Sequence, residues 1–153
     1  VYTAPSSPTV VRRAVSREVA QAVAAMMEHT VSEGTSYKAF HDPSGTPFLP
    51  GVSVAGKTGT LSDTPKVGEA RLVTWFTGFA PSRPVPGVRP IAVAVLVANK
   101  PTWTVKANVV ARELLRAYFA AQNVSGVTRP ALSALAHKGS VRGGAHAHPR
   151  ASR

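Results

Sequence analysis

Val52-Ser53-Val54-Ala55-Gly56-Lys57-Thr58-Gly59-Thr60 opens as a strand and closes as something else. Val52 and Val54 alternate onto one face, Ser53 and Ala55 onto the other. The last four residues, Lys57-Thr58-Gly59-Thr60, are a cation, two hydroxyls and a residue without a side chain, none of which a strand needs for packing. Placed at a strand end, they offer a fixed positive charge, hydroxyl donors and bare backbone. That is a recognition edge for a small anionic group or an extended peptide.

The flanking sequence supplies the rest of a sheet and its helices. Ala70–Ala80 alternates as a strand, with Trp75, Thr77 and Phe79 on one face and Phe76, Gly78 and Ala80 on the other. A glycine at 78 inside such a strand implies close approach of another chain segment. Residues 61–69 between the two strands read as a hairpin loop. Ile91–Ala98 is apolar at every position, which predicts a strand buried on both faces and helices on both sides of the sheet. The short connections favour antiparallel pairing.

Upstream, Val10, Val11 and Val15 predict a short strand. Ser16 is a good N-cap, Glu18 suits a first helical turn, and Val19, Val23, Met26, Met27, Thr30 and Val31 recur at helical spacing. This predicts a helix over 17–33 with the two methionines as core filler, stopped by Gly34. Residues 35–50 read as a loop, and the adjacent His41 and Asp42 receive no chemistry. After a turn at 99–102, Val105 to Gln122 predicts a closing helix, ended by Asn123 and Gly126.

The chain has 153 residues, no cysteine, 12 glycines and 13 prolines, enough for one modest core. Disulfides and thiolate metal sites are excluded. No apolar run approaches the length of a membrane span. The chain opens on Val1 rather than Met, so the expectation is a piece of something longer. The net charge of +11 is concentrated late: beyond Glu113, the last acidic residue, come Arg116, Arg129, Lys138, Arg142, Arg150 and Arg153. Residues 123–153 are read as a disordered basic tail and 1–9 as a linker or loop. His137, His146 and His148 in that tail have nothing to fix a ligand geometry, so no metal is assigned. With no aromatic–basic interleaving and no helix-turn-helix, nucleic-acid binding is not expected; a small basic polyanion-binding protein is the remote alternative.

Val-Ala-Gly-Lys-Thr-Gly-Thr followed by Thr74-Trp75-Phe76-Thr77-Gly78-Phe79-Ala80-Pro81, an apolar strand and a helix resembles the C-terminal part of the transpeptidase domain of penicillin-binding proteins, most closely the class B ones. That superfamily carries Ser-x-x-Lys, Ser-x-Asn and Lys-Thr-Gly motifs. The resemblance implies an α+β fold: the C-terminal portion of a β-lactamase/transpeptidase-like domain over 10–122, an antiparallel sheet, three strands of it here, covered by helices. It implies a peptidoglycan D,D-transpeptidase that cross-links stem peptides ending in D-Ala-D-Ala through an acyl-serine and binds β-lactams. No cofactor is implied. A cell-wall synthesis complex and the outer side of the inner membrane are the implied setting.

By the same resemblance, Lys57 lends its charge to the cleft, helping to hold the substrate carboxylate or supporting proton transfer; Thr58 and Thr60 hydroxyls hold that carboxylate, and Gly59 lets the substrate backbone pack close. The Thr60 N–H supplies half of an oxyanion hole, and Trp75 supports the motif from the next strand. No serine of the chain has lysine three residues on, and no Ser-x-Asn occurs. The chain alone is therefore expected to be inactive. A β-lactamase, a D,D-carboxypeptidase or a β-lactam sensor of the same fold is the alternative.

Overall fold

The computed structural model describes residues 10–63, 70–100 and 104–130. Their order is α1 (Arg17–Ser32), α2 (Tyr37–Phe40), β1 (Ala55–Asp63), β2 (Arg71–Ala80), β3 (Ile91–Asn99) and α3 (Ala107–Ala121). The strands form one antiparallel sheet in the order β1-β2-β3. This is the expected α+β arrangement. The segments at 1–9 and 131–153, with the three tail histidines, and most of the 61–69 loop lie outside the described residues.

The register pairs Lys57 with Thr77, Thr58 with Phe76, Gly59 with Trp75 and Thr60 with Thr74. Partners in register share a face, so Thr58, Thr60, Thr74, Phe76 and Gly78 lie together, joined from β3 by Val93, Val95 and Val97. The core forms on this face. Phe76 meets Phe40 of α2, and Leu115, Phe119 and Ala111 of α3 are fully buried. α3 packs on β2 and β3, α1 on β1, and α2 touches both helices.

The glycines next to Phe76 are required by this packing. A Cβ on Gly56 would collide with the Phe76 ring, and one on Gly78 with the Ala55 carbonyl. The close approach expected at Gly78 is thus seen. Thr74 fixes the start of α3: its hydroxyl accepts from Ala107 N–H at 3.0 Å. Asn99 adds a second anchor, its amide donating to the Val105 carbonyl at 2.9 Å. Arg112 and Arg116 flank the buried Glu113 and lie over the Phe48 ring, while Arg112 also donates to the Ala39 carbonyl.

Several expectations are corrected. Ile91–Ala98 is not buried on both faces: Ala92, Ala94, Leu96 and Ala98 are exposed, and among the described residues helices cover one side of the sheet only. Three of those four are alanines, apolar enough to extend the run but too small to bury much surface. Val10, Val11 and Val15 form no strand and are exposed. In α1, Val31 is buried but Val19, Val23 and Met26 are exposed, because the described residues supply a packing partner chiefly at the helix's C-terminal end. Met26 is therefore not core filler. The helix itself is as predicted, with Ser16 Oγ accepting from Val19 N–H.

The 35–50 loop contains the single turn of α2 and a bridge between His41 and Pro47. Packing also continues past α3 into the stretch read as tail: Val127 is buried in the core, and Thr128 Oγ1 accepts from Arg116 at 2.8 Å. Asn123 and Gly126 both adopt left-handed backbone there.

Candidate functional site

β1 begins at Ala55 rather than Val52 and runs on to Asp63, so Lys57–Thr60 sits in mid-strand and not at a strand end. The three residues after the motif pair with Val73, Leu72 and Arg71. Among the described residues β1 pairs only with β2, which leaves its other edge open along the whole motif.

The direction of the main-chain groups follows from two hydrogen bonds. Ser53 C=O accepts from Ser82 N–H at 2.9 Å, on the β2 side. Thr58 C=O accepts from Lys57 Nζ at 2.6 Å. A residue's N–H and C=O point to the same side of a strand, and the side alternates residue by residue. Odd-numbered residues of β1 therefore address β2, and the main-chain groups of Gly56, Thr58 and Thr60 address the open edge.

Side chains divide the other way. Lys57 and Gly59 lie on the outer face with Trp75; Thr58 and Thr60 lie on the face that carries α3. The motif thus offers an ammonium on one side of the edge, hydroxyls on the other, and main-chain groups between. Lys57 and Thr60 are exposed, Thr58 and Gly59 half-buried. Gly59 differs from Gly56 and Gly78. A Cβ built on it would stand 3.5 Å from Trp75 Cβ, an ordinary contact. Among the described residues nothing requires glycine at 59. Trp75 covers Gly59 from β2 and is 49% exposed.

The hydroxyl side opens into a cleft of about 310 Å³ lined by Thr35, Thr58, Thr60, Thr74, Lys106 and Asn108, among others. Thr35 Oγ1 lies 2.9 Å from Thr58 Oγ1. Sequence reasoning missed Thr35 and Asn108: one follows the helix stop Gly34, the other sits in the first turn of α3. Only long-range packing brings them to the motif. A second cavity, of about 240 Å³, is walled by Val31, Phe40, Leu49, Val52 and Val54 and edged by Glu28 and Arg83. It does not touch the motif. Arg83 donates twice to Glu28, at 2.6 and 3.3 Å, and holds that carboxyl below its usual pKa.

Comparison with known families decides between a generic open-edged sheet and a specific domain. The description "penicillin binding protein transpeptidase domain" matches residues 4–117. The chain belongs to that family. Comparisons with curated proteins and with solved structures gave no match. Membership carries a penicillin-binding-protein-like role, with serine-type acyl transfer and with peptidoglycan and β-lactam binding as properties of the family in general. The match spans α1 and the sheet and reaches into α3, so the open edge of β1 lies wholly within it.

Proposed function

We propose that β1 is the substrate-recognition edge of a peptidoglycan D,D-transpeptidase, with Lys57, Thr58, Gly59 and Thr60 as its working residues. The observation that carries this is the coincidence, among the described residues, of an unpaired strand edge with a tetrapeptide whose Lys57 is exposed and whose Gly59 has room for a Cβ. Thr58 and Thr60 hydroxyls donate to the carboxylate of a terminal D-alanine or of a β-lactam. The substrate backbone runs along the open edge and passes over Gly59, where no Cβ intervenes.

The Thr60 N–H, directed to the same edge, is one donor of the oxyanion hole, a contribution typically worth ~3 kcal/mol. Lys57 lies on the opposite face from the hydroxyls, so its ammonium serves the reacting centre and proton transfer there rather than the carboxylate itself. The nucleophilic serine and its lysine come from residues outside these 153, and without them the chain does not turn over. The serine attacks the penultimate D-alanine carbonyl and releases the terminal D-alanine. An amine of a second stem then takes the acyl group. The working location is the cell envelope, within a cell-wall synthesis complex.

The test is an NMR titration of the isotope-labelled chain with an acetylated D-Ala-D-Ala peptide. Shifts centred on Thr58, Gly59 and Thr60 are expected. Shifts confined to the apolar cavity around Leu49, or none, would remove the proposal.

A further inference from the structure

The contact between Thr35 and Thr58 joins the loop after α1 to the recognition strand across 23 residues of sequence. The backbone at Thr35 is held from both sides. Glu33 and Gly34 N–H groups both end on the His29 carbonyl, at 3.0 and 2.9 Å, and Ser36 N–H returns to the Thr30 carbonyl at 3.0 Å. A Cβ on Gly34 would stand 2.9 Å from Thr30 Cα, so the turn closes this tightly only with glycine. The next residue, Ser36, is fully buried and accepts from Asn108 Nδ2 at 3.3 Å. Thr35 itself is exposed and lines the cleft beside Thr58 and Thr60.

A threonine hydroxyl has one proton and two acceptor positions. In the free protein either oxygen of the Thr35–Thr58 pair can be the donor. A carboxylate only accepts. Once one sits at Thr58, the Thr58 proton must go to it, and the contact with Thr35 survives only with Thr35 donating. The opposite direction would set a Thr58 lone pair against the carboxylate.

We propose that Thr35 is a positioning residue of the recognition edge: its hydroxyl donates to Thr58 Oγ1 and thereby commits the Thr58 proton to the bound carboxylate. This rests on the carboxylate reading of Thr58 and Thr60 given above. The two hydroxyls then form a chain ending on a charge, in which each bond strengthens the next. Through Thr35 the C-terminal turn of α1 becomes part of the site.

The test compares the unmodified chain with Thr35→Ser and Thr35→Val. Each is titrated with N-acetyl-D-alanine while the amides of Thr58, Gly59 and Thr60 are followed by NMR. Thr35→Val is expected to bind about tenfold more weakly, with an unchanged melting temperature because the side chain is exposed. Thr35→Ser should restore the original affinity. N-acetyl-D-alaninamide, which has no carboxylate, should bind the unmodified chain and Thr35→Val alike. Equal N-acetyl-D-alanine affinity for those two proteins overturns the relay and leaves the carboxylate reading standing. An equal loss with the amide gives Thr35 a merely structural role and also overturns it. If the unmodified chain shows no shifts at Thr58–Thr60, the carboxylate reading falls, and the relay with it.

Discussion

Trp75 and Phe76 are neighbours on β2, both large and aromatic, and they lie on opposite faces of the sheet. Phe76 is 1% exposed, enclosed by Phe40, two glycines and the helices; Trp75 is 49% exposed beside Gly59. The covered face explains its own sequence. Gly56 and Gly78 make room for Phe76 and the β1 backbone, Thr74 caps α3, and small alanines admit the helix. The outer face and the β1 edge do not explain theirs, since among the described residues Gly59 has space for a side chain and Lys57 bonds to the Thr58 carbonyl of its own strand. The recognition role proposed for Lys57 and Gly59 supplies a reason for residues that packing leaves unaccounted for.

The largest effect that would sharpen this contrast is Phe76→Ala, expected to cost ~3–5 kcal/mol, against ~1 kcal/mol or less for Trp75→Ala. Chemical denaturation of the two variants measures both. Similar losses would erase the distinction between the faces.

The glycines come next. Gly78→Ala should destabilise by ~1–3 kcal/mol through overpacking, whereas Gly59→Ala should stay within ~0.5 kcal/mol of the unmodified chain while weakening D-Ala-D-Ala peptide binding. A strongly destabilised Gly59→Ala would return that glycine to the fold and break the comparison. Thr74→Val strands the Ala107 N–H and is expected to cost ~1–2 kcal/mol, read from the same unfolding curves.

The smallest effect belongs to the Glu28–Arg83 pair at the rim of the covered face. Because Arg83 lowers the folded pKa of Glu28, unfolded Glu28 binds its proton first as pH falls. The pair's contribution is present above the ordinary glutamate range, about 4.3, and is lost as pH drops through the lowered value. The stability gap between the unmodified chain and Arg83→Gln should therefore be present at neutral pH and close in acid. A gap that widens in acid would contradict the assignment.

Local signals made much of the fold legible in the sequence. Ser16 and Gly34 mark the ends of α1 because capping and close backbone approach are determined within one turn. The alternation of β2 identified its two faces, and Lys57–Thr60 stood out because those residue types serve no packing purpose. What stayed hidden depends on distant partners. An unbroken apolar run such as Ile91–Ala98 does not say which side is covered when three of its eight residues are alanine. The stripe of α1 predicts an apolar face but not what lies against it. The four-residue α2 is too short to show a period. Thr35 carries no local sign of its contact with Thr58, which exists only once α1 has packed on β1.

The most direct measurement takes the protein from its native envelope. Fluorescent penicillin would be applied, the product captured with an antibody against residues 124–153, and its intact mass recorded. We predict a covalently labelled species heavier than 16.0 kDa, in which an acylated serine accompanies the β1 edge described above. A captured species that carries no label would contradict the assignment of Lys57–Thr60 to a transpeptidase cleft.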